Sequence, residues 1–99
     1  MIPGTYTRVF QQEFGTMYDT VVISLLNESA NVFKVISKWR YDRILDGKPI
    51  EPEYKTYIHS AIFYEGSKLL RDNETGNFYS FDIENNILYE GATKYQKLK

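Results

Sequence analysis

Apolar and polar residues alternate with period two along much of the chain. The clearest run is 31–45. There Phe33, Val35, Trp39 and Tyr41 fall on one side of an extended backbone, and Lys34, Lys38, Arg40 and Asp42 fall on the other. Successive side chains of a strand point to opposite faces, so this run predicts a long strand with an apolar inner face and a charged outer face. Ile36 on the outer side and Ser37 on the inner side break the pattern. Turn chemistry bounds the run, with Asn27-Glu28-Ser29-Ala30 before it and Asp46-Gly47-Lys48-Pro49 after it.

The same pattern predicts strands on either side. Gly4-Thr5-Tyr6-Thr7-Arg8-Val9-Phe10 places Tyr6 and Phe10 about Arg8 on one face, and the run ends near Glu13-Phe14-Gly15. Residues 17–26 are rich in β-branched side chains and form the next strand. Asp46-Gly47 is a strong short turn signal. Pro49 and Pro52 make 47–53 a loop, because proline cannot donate to a central ladder. Residues 54–65 fit two readings. Tyr54, Tyr57, Ile58, Ala61 and Ile62 match one helical face, whereas Tyr54, Ile58, Ile62 and Tyr64 form one side of a strand; the aromatic and β-branched content favours the strand. Short strands follow at 68–71, 77–83, 87–89 and 93–98. They are separated by Asp72-Asn73-Glu74-Thr75-Gly76, Glu84-Asn85-Asn86 and Glu90-Gly91-Ala92.

About eight strands joined by tight turns, with no crossover helix between them, predict an antiparallel meander. Closing the meander removes its two exposed edges, so the expected fold is one all-β domain over 1–99, a small barrel of about eight strands. Ninety-nine residues make one core. Short strands and many aromatics make a mostly filled interior the default.

Composition narrows the function classes. A net charge of −1 argues against a nucleic-acid partner, although Lys38-Trp39-Arg40-Tyr41 mixes cations with aromatics. In a strand those cations face away from the rings. With no cysteine, disulfides and thiolate metal sites are impossible. No apolar run is long enough for a membrane-spanning helix. His59, the one histidine, reads as an outer-face residue between Tyr57 and Ala61. Its neighbour Ser60 points the other way, so no catalytic pair forms. The acids of 72–74 and 82–86 miss the calcium-loop pattern and suit hairpin turns. Asn27-Glu28-Ser29 and Asn73-Glu74-Thr75 match glycosylation acceptors, and their use here is as markers of surface turns. No catalytic residue, metal or cofactor is therefore assigned. Nine tyrosines cannot all bury their hydroxyls without partners, so several should lie at a barrel mouth or an exposed face.

Gly4-Thr5-Tyr6 opens the first strand much as Gly-x-Trp opens lipocalins. Tyr18-Asp19-Thr20-Val21-Val22-Ile23 and the closing Tyr95-Gln96-Lys97-Leu98 complete a resemblance to small lipocalin-like secreted proteins and lipoproteins of Bacteroidetes-type bacteria. The resemblance implies a lipocalin-like barrel at an extracytoplasmic address (periplasm, outer-membrane lipoprotein or secreted), with a leader removed ahead of Met1-Ile2-Pro3-Gly4. It brings no activity and no functional residues. The tryptophan lies in the third strand rather than the first, and the chain is shorter than a full lipocalin, which counts against a wide cavity. The leading expectation is a non-enzymatic binding module for a small hydrophobic ligand or a partner chain such as a cell-envelope protein. Phe33, Trp39 and Tyr41 would line its interior, with Tyr79 and Phe81 beside them; the alternation alone leaves open which face turns inward. The second expectation is an interaction or structural domain with a filled core and no ligand.

Overall fold

The computed structural model describes residues 2–98; Met1, and with it the expected leader junction, lies outside them. Nine strands follow in chain order: β1 Gly4–Gln12, β2 Gly15–Asn27, β3 Val32–Leu45, β4 Lys48–Pro49, β5 Glu53–Tyr64, β6 Leu69–Asp72, β7 Phe78–Asp82, β8 Ile87–Glu90 and β9 Thr93–Lys97. All pairings are antiparallel. They run β2-β1-β9-β8-β7-β6-β5-β3, and β2 pairs with β3 to close the ring. The result is an eight-stranded barrel in meander order, with β4 as an extra edge strand on the end of β3. Residues 54–64 are therefore strand, not helix, and Glu65 opens the following turn. The loop expected over 47–53 contains the short β4, whose Pro49 stands opposite Ile44 at an edge where a missing N–H does no harm. Asp46 and Gly47 both have positive φ, 52° and 75°, the backbone of a two-residue type I′ hairpin.

The register sets one inward face all the way round. Tyr6 stands opposite Val21, Ile23 opposite Val35, Phe33 opposite Ala61, Phe63 opposite Leu70, and Leu88 opposite both Phe81 and Tyr95. Tyr6, Val21, Ile23, Phe33, Val35, Ala61, Leu70, Tyr79, Leu88 and Tyr95 are buried there, with Ile2, Phe63 and Phe81 packed against them. The Tyr6 hydroxyl donates to the Ile2 carbonyl at 2.7 Å, and its ring meets Phe81 at 6.0 Å. Ser37, the polar break in the pattern, bonds the Tyr79 hydroxyl. The polar break at Ser37 thus satisfies a buried hydroxyl.

Strand lengths are unequal, and this shapes the molecule. β2, β3 and β5 have 13, 14 and 12 residues, whereas β6 to β9 have four or five. β6 pairs only with the last four residues of β5, and β9 only with Tyr6 and Thr7 of β1. Beyond those points β1, β2, β3 and β5 continue together as a four-stranded sheet. The molecule is accordingly elongated, 52 × 25 × 22 Å.

Gly15 lies buried near the far end of this sheet, opposite Arg43. A Cβ there would collide with the Asp42 carbonyl and come within 2.9 Å of the Tyr41 ring. Gly15→Ala should therefore cost about 1–3 kcal/mol through forced backbone shifts, read as a lowered melting temperature with faster amide exchange at the β2–β3 tip.

Candidate binding face

The four long strands carry their inward alternation past the barrel. Arg8, Phe10 and Gln12 of β1 lie beside Asp19, Met17 and Gly15 of β2. These lie beside Trp39, Tyr41 and Arg43 of β3, and Lys55 and Glu53 of β5 stand opposite Trp39 and Tyr41. Among the described residues no helix lies over this surface, and its side chains stay partly open to solvent. Phe10, Met17, Trp39 and Tyr41 are each partly exposed, and Tyr57 more so. The Lys55 ammonium sits 5.9 Å from the Trp39 ring, and the Arg8 guanidinium lies 3.9 Å above Phe10. At the tip, Tyr41 joins Phe14, Arg43, Ile44, Leu45 and Ile50 around a cleft of about 190 Å³. Phe14, Ile44 and Leu45 are exposed there.

A polar layer separates this face from the core. Asp72, at the end of β6, is the one buried charged side chain among the described residues. Its Oδ2 lies 2.7 Å from His59 Nδ1, and its Oδ1 accepts the backbone N–H groups of Glu74 and Thr75. An ionised carboxylate only accepts, so His59 donates from Nδ1. Its Nε2 faces Glu74 Oε2 at 3.5 Å. Burial pushes the Asp72 carboxyl up, but the His59 bond and the two N–H groups outweigh this and hold it below the ordinary value. Across the mouth, the Tyr95 hydroxyl donates to Glu90 at 3.3 Å, and burial with the nearby Glu90 charge pushes it up to about 12. Burial raises the Tyr79 hydroxyl as well. Arg8 and Asp19 approach to 3.8 Å on the opposite wall.

These groups brace the mouth. No buried polar side-chain atom among the described residues lacks a partner, and no three His, Asp or Glu side chains there converge as metal ligands. The Ser60 hydroxyl accepts from Asn73 Nδ2 at 3.0 Å and points away from His59.

The five residues expected to line one ligand site are divided. Phe33 and Tyr79 lie in the packed core, and Phe81 packs against it beside Tyr6. Trp39 and Tyr41 lie outside the barrel, on the open face. His59 is a correction. It faces inward, opposite Val35 and against buried Asp72, while Tyr54 and Ile58 of the supposed inner side are exposed. The phase of β5 is set by small Ala61 meeting Phe33 in the core, which periodicity within β5 alone does not reveal. Phe10, Met17 and Phe14 were missed as site residues; the signal was the length of the first strands relative to the last.

Other clefts are open surface grooves. One of about 590 Å³ sits over Tyr64, Arg71 and Phe78, one of about 470 Å³ over Asn77, Phe78 and Glu90, and one of about 310 Å³ over Tyr18, Arg40 and Tyr54, reaching Trp39 and Lys55. Between Tyr6, Phe81, Ile87 and Lys97 only about 10 Å³ remains, room for one water at most. No family profile, curated protein or solved structure matches the chain.

Proposed function

We propose that this chain is a non-enzymatic interaction module that holds a partner chain on the open inner face of its long strands. The barrel serves as the filled stem that orients that face. One observation carries the reading: Trp39, Tyr41, Met17 and Phe10 stand partly exposed on one uncovered surface, while the barrel interior is packed. Tryptophan, tyrosine, phenylalanine and methionine are the residue types enriched where proteins meet, because each offers large contact area. A cavity for a small ligand needs roughly 300 Å³ or more, and the clefts of that size are open surface grooves and not spaces enclosed by the barrel. An extracytoplasmic address and kinship with lipocalin-like secreted proteins go with this proposal; their support is the closed meander and the short sequence runs given above.

Trp39 supplies the test. Titration with long-chain fatty acids should leave its fluorescence unchanged. Photo-crosslinkers placed at Met17 and Tyr41 should trap the same protein from cell-envelope extract, and Trp39→Ala should abolish the trapping while melting stays within a few degrees. Saturable one-to-one fatty-acid binding, unaffected by Trp39→Ala, would overturn the proposal in favour of a ligand carrier.

A further inference from the structure

Beyond the barrel, β5 has a partner on one side only among the described residues. Residues 53–59 pair with β3, and β6 begins to pair at Ala61. The Ser60 carbonyl already points to the β6 side, where it accepts from the Asn73 N–H at 2.9 Å. Backbone groups alternate in direction along a strand. Tyr54, Thr56 and Ile58 therefore present their N–H and C=O groups to the open edge. Tyr54 is 67 % exposed and Ile58 60 %. Long apolar edges of this kind are templates for strand addition, and proteins that stay monomeric blunt them with prolines, bulges or inward charges. Here Pro52 lies just outside the strand, 53–59 has no proline of its own, and its inward charges, Glu53 and Lys55, are of opposite sign.

We propose that a second copy of this chain occupies this edge, pairing β5 with β5 antiparallel about a two-fold axis through Thr56. The sequence selects that register. Centred on Thr56, Thr56 meets itself, Tyr54 meets Ile58, Lys55 meets Tyr57 and Glu53 meets His59. No like charges oppose each other, and the aromatic, β-branched and Thr–Thr pairs are favourable ones. Centring on Lys55 sets two ammonium groups face to face. Centring on Tyr54 opposes Thr56 to Pro52, which has no N–H to give. Centring on Tyr57 drives Glu53 against Ala61, whose edge β6 occupies. The Thr56 register also ends where it must. The partner copy's chain leaves the sheet at residues 50–52, opposite the place where the Asp72–Asn77 turn begins to cover β5. With the axis perpendicular to the sheet, both inner faces lie on the same side. The two Trp39–Tyr41 surfaces then join into one broad platform.

Sedimentation equilibrium of the full chain should show a mass rising with concentration toward twice 11.7 kDa. Thr56→Pro removes an N–H that faces the open edge and leaves the β3 ladder intact, a substitution edge strands tolerate. It should weaken self-association at least tenfold with the circular dichroism unchanged. If Thr56→Pro compromises folding, Ile58→Lys at an exposed position gives the same reading. The chain lacks cysteine, so single cysteines report the register: Thr56→Cys should cross-link across the axis on oxidation, and Tyr54→Cys should not. A monomer at all concentrations, a Thr56→Pro protein that associates like the parent, or equal cross-linking at both positions would overturn the proposal. Trp39→Ala should leave the mass unchanged, so loss of partner capture and loss of dimer are distinguishable.

Discussion

Leu70→Ala is expected to remove about 3 kcal/mol of stability, within the range for a buried leucine truncated in a packed core. Leu70 is fully buried, between Phe63 on β5 and Tyr79 on β7. The four short strands around it are tied into a closed ring and cannot collapse onto the gap independently. A loss of that size would lower the melting temperature by roughly 12–24 °C in a domain of about 100 residues. Leu26→Ala provides the contrast. It removes the same volume from an exposed position of β2, where surface changes usually stay within about 0.5 kcal/mol. Urea unfolding followed by far-ultraviolet circular dichroism measures both. A Leu70→Ala cost under about 1 kcal/mol would mean a loosely filled interior, and the case against an internal ligand would fall with it.

The strand pattern was legible because one face of nearly every strand is buried. In β3, Phe33, Val35 and Ser37 point inward as the alternation requires, and Ser37 has its reason in Tyr79. Turn chemistry marked Asp46-Gly47, where both φ values are positive. What escaped was depth along the barrel axis. Alternation says which way Trp39 points, but not whether another strand reaches far enough to cover it. That depends on β6 pairing with the last residues of β5 alone, a long-range register. The same limit explains the division of the expected site. Phe33 and Trp39 share one face of one strand, yet Phe33 meets Ala61 inside the closed ring and Trp39 meets Lys55 beyond it. His59 was misplaced because β5 is apolar on both faces where it overhangs, with Tyr57 on one and Tyr54 and Ile58 on the other. Periodicity is weakest in such a strand, and an edge built to receive another strand would look the same.

Asp72→Ala should be comparably damaging, at about 3 kcal/mol, because it strands several groups at once. The carboxylate is almost fully buried, caps the turn through the Glu74 and Thr75 N–H groups, and holds His59. Its removal would free the Asp72–Asn77 turn and loosen the mouth between stem and open face. Asp72→Asn isolates the charge, since an amide oxygen can still cap the turn. The folded-state value of this group is depressed, so its contribution is complete above the unfolded value, about 4, and is lost as the pH falls through the folded value. The stability gap between the parent and Asp72→Asn should therefore narrow below about pH 4. Denaturant titrations from pH 7 to pH 2.5 read this directly. The other carboxylates are present in both proteins, so the difference belongs to Asp72 and to its coupling with them. A gap that persists unchanged into acid would mean that shape and hydrogen bonding at position 72, not the negative charge on His59 and the turn, hold the mouth together.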